Sequence, residues 1–214
     1  MDRARLAADK RSILALGAHP DDIELGCGAS LAKLAAMGAH VRAIVFTQGE
    51  RGTYRLEDRA EETRAALALL GVRDVHVLQF EDTELWRNGS ALIRTLEDHM
   101  DALSPVRVYT MFHQDRHSDH RAVYEASAVA CRDAPQVLGY ETPSSYPNFC
   151  PTVYEEVGDF LAAKVRAIQH HRSQGDRVYM QEQNIRAAAQ FRGAQVELGP
   201  SEAFVAYKMV LGRL

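Results

Sequence analysis

Short apolar runs alternate with longer stretches of helical period along most of this 214-residue chain. Ile13 to Ala18 is almost wholly apolar, the pattern of a strand buried on both faces. Gly26-Cys27-Gly28-Ala29-Ser30-Leu31 reads as a tight turn opening a helix from about Gly28 to Met37, which Gly38 closes. Further strands are predicted at Val41–Phe46, Val75–Phe80, Val106–Thr110, Val137–Tyr140, Thr152–Val157 and Ala203–Val210. Between them lie a helix entered through Leu56-Glu57-Asp58-Arg59 and ending at Gly71, and one from Ala91 to Leu103 capped by Ser90 after an Asn88-Gly89 turn. Later helices are predicted at Ser118–Cys131, Asp159–His171 and Arg177–Phe191. Strand and helix in alternation predict an α/β fold with a mostly parallel sheet and right-handed crossovers.

The length suits a single domain over 1–214, with no repeat, linker or low-complexity tract. A formal net charge of −4 and a pI near 6.1 exclude a general nucleic-acid binder, which needs a basic face. The charged stretch Met1 to Arg11 lacks the apolar core of a signal peptide, and no run is long and apolar enough to span a membrane. Cys27, Cys131 and Cys150 are an odd set for a disulfide framework and fit a reducing cytoplasm.

Chemistry concentrates after the first strand, in Ala18-His19-Pro20-Asp21-Asp22. The crevice beyond the carboxyl ends of strands is where open α/β sheets bind ligands. An imidazole and a carboxylate three positions apart, stiffened by proline, suit a borderline metal such as zinc. If Asp22 turns to the metal, Asp21 points elsewhere and stays free to act as a base. A third ligand is available about a hundred residues later, in His113-Gln114-Asp115-Arg116-His117-Ser118-Asp119-His120, which follows the fourth strand. The Gly26-x-Gly28 pair is a weak dinucleotide signal, because Leu31 stands where a third glycine is required. Close packing of helix on strand explains the pair as well.

The Ala18–Asp22 segment together with His117-Ser118-Asp119-His120 resembles the PIG-L/LmbE-like family of zinc-dependent N-deacetylases, marked by A-H-P-D-D and H-x-D-H. Thr47-Gln48-Gly49-Glu50-Arg51-Gly52, the Arg59/Glu62 pair, Leu70-Gly71 and His171-Arg172-Ser173-Gln174 extend the resemblance from about Leu14 to Gln174. It implies a Rossmann-like three-layer fold with the metal site at the C-terminal ends of the strands. His19, Asp22 and His120 match the metal ligands and Asp21 the general base. His117 matches the histidine that assists at the oxyanion or protonates the leaving amine, with Asp119 as its orienting partner. Substrate contacts are sought at Arg51, Arg59, His113, Asp115 and Tyr146. Asp115 stands where some relatives carry a tyrosine, and Tyr146 in the 141–151 loop is the aromatic considered in its place. His170 and His171 read as helix-face residues, with a pocket role for His171 as the alternative.

The implied reaction is removal of acetyl from an N-acetylated amino sugar or its conjugate, such as an N-acetylglucosaminyl compound. Zinc is the implied cofactor, and iron(II) or another divalent ion suits the same donors. The partner is a small sugar molecule, with no nucleic acid or membrane. Relatives are often trimers or hexamers, although no self-association stripe stands out. Two other readings use the same residues: hydrolysis of a different amide or ester, and a degenerate module that binds metal or ligand without turnover.

Overall fold

A computed structural model describes residues 11–52 and 58–210 of the chain. The N-terminal lead-in and residues 53–57 of the predicted Thr47–Glu57 loop lie outside them. The order is β1 (Ser12–Gly17), α1 (Asp22–Ala36), β2 (His40–Thr47), α2 (Arg59–Leu69), β3 (Asp74–Phe80), α3 (Gly89–Leu103) and β4 (Arg107–Met111). It continues with α4 (Ser118–Ala130), β5 (Gln136–Tyr140), β6 (Val153–Glu156), α5 (Gly158–Ile168), α6 (Glu182–Ala194) and β7 (Ser201–Met209). Seven strands form one sheet in the order β3-β2-β1-β4-β5-β7-β6. The first five are parallel, and β7 runs antiparallel to both β5 and β6.

Packing explains which segments became strands. Ile13, Leu14, Ala15 and Leu16 of β1 are buried, as are Val45 and Phe46 of β2 and Val108 and Tyr109 of β4. Helices α1, α2 and α5 pack together on one face and α3 with α4 on the other, giving a three-layer α/β molecule. No helix of the described residues is long and apolar enough to cross a membrane. Strand order reverses between β1 and β4, whose pairing aligns Ile13 with Arg107 and Ala15 with Tyr109. The crevice at such a reversal, beyond the carboxyl ends of the strands, is where open α/β sheets take ligands. Both sequence motifs leave the sheet there.

Several boundaries differ from the sequence expectation. Helix α1 begins at Asp22, so Gly26–Leu31 lies inside it and forms no opening turn. The turn signal has a physical counterpart, because the helix kinks at Cys27, where φ is −140°. Glu202 takes the amides that the broken ladder frees, accepting from Ala29 N at 3.0 Å and Ser30 N at 2.7 Å. Asn88-Gly89 makes no hairpin-like turn: a 3₁₀ turn over Leu85–Asn88 runs into α3 at Gly89, placing Ser90 within the helix. Helix α5 stops at Ile168, and two 3₁₀ turns separate it from α6, which starts at Glu182 instead of Arg177.

The Gly26-x-Gly28 pair serves packing. A Cβ at Gly26 would overlap the ring of Tyr140, a fully buried side chain whose hydroxyl donates to Leu16 O at 2.5 Å. One at Gly28 would meet only Leu70 Cδ1 closely, at 3.2 Å. Gly26→Ala is therefore expected to cost about 1–3 kcal/mol, as overpacked cores do, and Gly28→Ala less. Urea midpoints of the two variants check the order; equal midpoints would show that Tyr140 is free to move aside.

Candidate active site

The loop after β1 and the start of α4 bring their side chains to one point. The Asp22 carboxylate lies between two imidazoles, with Oδ2 3.5 Å from His19 Nδ1 and Oδ1 3.3 Å from His120 Nε2. The His19 and His120 ring centroids are 5.4 Å apart. His117 joins them, stacked on His120 at 4.8 Å, so that His19, His117 and His120 bring ligand atoms within 4.8 Å of one another. Asp22 Oδ2 also accepts from the His19 amide at 2.7 Å, which ties the carboxylate to the turn that carries the histidine.

The outer ring nitrogens are held as well. His19 Nε2 meets Asp119 Oδ2 at 3.2 Å and Asp82 Oδ1 at 3.1 Å, a second group whose ligand atoms lie close together. His120 Nδ1 meets Asp115 Oδ2 at 3.1 Å. An imidazole that gives one nitrogen to a carboxylate presents the other in a fixed direction, the usual support of a metal-binding histidine. Charge makes the same point: Asp21, Asp22, Asp82, Asp115 and Asp119 are all buried here, with Arg59 the one buried arginine among the described residues. Buried carboxylates in such excess need a cation or protons. Burial alone would lower the pKa values of the two imidazoles, yet Asp119, Asp22 and Asp82 more than reverse this at His19. At His120, Asp22 and Asp115 push the value to about 9. The nitrogen and oxygen donors and the anionic surround fit a divalent ion of the zinc or iron(II) type.

Asp21 faces the other way. Its backbone has φ 113°, a left-handed value that an aspartate holds only when its neighbours enforce it. Arg59 supplies part of that force, donating to Pro20 O at 2.7 Å, Gly49 O at 2.9 Å and Asp21 Oδ2 at 3.2 Å. Burial raises the Asp21 carboxyl to about 6, with Arg59 opposing and Asp22 assisting. The side chain lines a cleft of about 530 Å³ together with the three histidines, Asp82, Arg116, Gln174 and Tyr179.

Residues 14–131 match the family model described as PIG-L: GlcNAc-PI de-N-acetylase. The chain belongs to the PIG-L family. Among curated relatives it is 49% identical over 181 residues to the "uncharacterized deacetylase YaiS" of Escherichia coli K12, covering 81% of this chain and 98% of that one. It is 26% identical to the diacetylchitobiose deacetylase of Thermococcus kodakarensis, over 78% of this chain and 71% of the relative. Among solved structures, the conserved protein TT1542 of Thermus thermophilus superposes with a TM-score of 0.82 at 26% identity, over 94% of this chain and 96% of that one.

Within this PIG-L chain the predicted site residues divide. His19, Asp21, Asp22, His117, Asp119 and His120 come together, but Asp119 does not orient His117 through its carboxylate. That carboxylate accepts from His19 Nε2, Thr83 N at 2.8 Å and Leu85 N at 3.1 Å. His117 caps α4 instead, its Nδ1 accepting from the Asp119 amide at 3.2 Å. In the neutral ring this bond leaves the proton on Nε2. Burial and the neighbouring His19 and His120 hold the His117 pKa below its usual value.

The proposed substrate contacts are largely committed elsewhere. Arg51 sits on the rim and donates to Glu81 at 2.6 Å and Thr83 at 2.7 Å. Arg59 lies behind Asp21, while Glu62 accepts from Ser173. The amide of His113 donates to the Tyr207 hydroxyl at 2.7 Å, and the residue stands outside the cleft lining. Asp115 is fully buried, accepting from Thr142 Oγ1 at 2.7 Å, Ser144 Oγ at 2.6 Å and His117 N at 2.8 Å, and so buttresses His120. Tyr146 is 48% exposed and stands outside the cleft lining; Tyr179 is the tyrosine of the cleft.

Asp82 and Tyr179 escaped sequence reading. Asp82 follows β3 at the same sheet edge, so strand order would have drawn attention to it. Tyr179 sits in the 3₁₀ turn Val178–Met180, which has no signal of its own. His171 is also no helix-face residue: it is buried behind the site with Nε2 3.0 Å from Glu24 Oε1, which also accepts from Thr63 at 2.5 Å.

Two measurements test this scaffold. Asp119→Asn is expected to weaken metal binding about 10- to 100-fold in chelator competition, the usual cost of losing an outer-shell carboxylate; unchanged affinity would remove Asp119 from the cage. At His171 burial works downward, but Glu24, with Asp21 and Glu62 assisting, raises the pKa. A raised imidazole contributes stability fully below about pH 6.5 and loses it as pH climbs through the folded value. The stability gap between wild type and His171→Gln, about 3 kcal/mol at pH 6 for a broken buried pair, is expected to narrow by pH 9 in urea titrations, and a constant gap would show that the pair does not carry it.

Proposed function

We propose that the protein is a metal-dependent hydrolase that removes acetyl from an N-acetylated amino sugar or its conjugate. The observation that carries this is the divergence of two adjacent carboxylates. Asp22 is fixed between His19 and His120 while Asp21 turns to Arg59 and the cleft. One is a ligand by position and the other is left for proton transfer. The names of the relatives, deacetylase and diacetylchitobiose deacetylase, supply the acetyl group and the sugar.

His19, Asp22 and His120 would hold the ion, zinc or iron(II). An ion there supplies Lewis acidity toward the amide carbonyl and toward water. Asp21, poised near 6 and steadied by Arg59, takes the proton of the attacking water. His117 is neutral with its proton on Nε2, so it donates to the developing oxyanion or to the departing nitrogen. Asp115 and Asp119 keep the two ligand imidazoles in register throughout. The bond between acetyl carbon and nitrogen breaks; acetate and a free amine leave.

Acetate release from a panel of N-acetylated sugars, with metal content measured on the same samples, tests this. Wild type is expected to turn over at least one member and to stop on chelation. Asp21→Asn and His117→Ala are expected to keep the ion and lose about 10²- to 10⁴-fold in kcat, whereas His120→Ala loses the ion. Loss of metal from His117→Ala would make that residue a ligand, and undiminished turnover by Asp21→Asn would end the base assignment.

A further inference from the structure

A second cavity, of about 320 Å³, opens beside the cleft. Leu25, Thr142, Pro143 and Tyr179 line both spaces, so the two meet across a shared wall. Its far side is built by α6 through Ile185, Ala188, Ala189 and Phe191, with Phe191 59% exposed. That much uncovered aromatic surface beside a reaction cleft favours an apolar visitor.

Most polar side chains of this cavity are already paired, the Tyr179 hydroxyl on the shared wall being the exception. Lys164 Nζ donates to Glu202 Oε1 at 2.6 Å and to Leu25 O at 2.7 Å. Glu202 is further used by Ala29 N and Ser30 N at the α1 kink. Arg192 donates through two nitrogens to Glu141, Ser201 Oγ to Gly199 O, Asn184 Nδ2 to Val178 O and Thr142 Oγ1 to Asp115. A second sugar ring entering here would surrender its hydration and meet few unspent partners, which is costly. A hydrocarbon group surrenders nothing and gains burial.

The geometry points to a specificity subsite for an apolar alkyl or aryl group attached to the amino sugar. The inference rests on the deacetylase reading. An acetyl group is too small to reach beyond the cleft, so the group that fills the second cavity is carried by the amine product.

The test uses metal-loaded full-length protein and a series of N-acetylglucosamine glycosides, methyl through octyl, with N,N′-diacetylchitobiose and a matching N-acyl chain series alongside. Each added methylene is expected to raise kcat/KM about threefold until the cavity is full, so that the hexyl glycoside, five methylenes longer, exceeds the methyl one by about two-hundredfold. Ala188→Trp, a change at an exposed position of α6, is expected to flatten the series and leave the methyl glycoside unaffected. A flat wild-type series, a preference for the disaccharide, or a gain confined to the N-acyl series overturns the subsite. If no substrate releases acetate, the deacetylase reading fails separately. Calorimetric binding of the hexyl and methyl glycosides to wild type and Ala188→Trp then decides the cavity by the same comparison.

Discussion

Asp22 can sit between His19 and His120 only because β1 and β4 are neighbours, and they are neighbours only because strand order reverses between them. Two segments about a hundred residues apart in sequence thereby gather more buried carboxylate than the one buried arginine of the described residues balances. In water such a cluster would repel itself weakly. Behind a low-dielectric wall it demands a counter-charge, which protons or a divalent ion supply. The rest of the fold makes that demand persist, since relaxation that let the carboxylates reach solvent would relieve it.

Backbone strain at Asp21 belongs to the same constraint. A non-glycine residue at φ 113° costs on the order of 1–3 kcal/mol and survives only where its surroundings overdetermine it. Here the overdetermination is visible. The His19 amide holds Asp22, the Arg59 fork grips the carbonyls of Pro20 and Gly49, and Thr47 Oγ1 reaches Ala18 O at 2.9 Å. The strained turn sends one carboxylate to the imidazoles and the other to the guanidinium.

The sequence disclosed the parts of this arrangement that are local. Apolar runs located all seven strands to within a residue or two, and the two motifs named the cluster at the sheet edge. It did not disclose who holds whom. Asp119 lies beside His120 in sequence, yet its carboxylate reaches His19 in the loop after β1 and two amides after β3. Asp115 read as a substrate contact because nothing local says that Thr142 and Ser144 fold back onto it. Gly26 looked like a turn residue, since the ring that requires it, Tyr140, is more than a hundred positions away. Residue type announces chemistry, whereas partnership is a tertiary fact.

Asp115 also ties the 141–151 loop to the imidazole cluster. The 141–151 loop borders both cavities, and its Thr142, Ser144 and Ser145 hydroxyls all donate to the carboxylate that touches His120 Nδ1. Backbone pairing of Arg116 N with Ser144 O and of Tyr146 N with Gln114 O fixes the loop to the segment bearing His117 and His120. A loop change that admits a new substituent therefore risks rotating the His120 imidazole. Helix α6 builds the far wall of the second cavity, and none of its residues lines the cleft that holds the cage. On the proposed reading, substitutions on α6 would alter what the cavity accepts without disturbing the chemistry. On this architecture, substrate range would diversify first through the helix, and the loop would follow only where the hydroxyls facing Asp115 are kept.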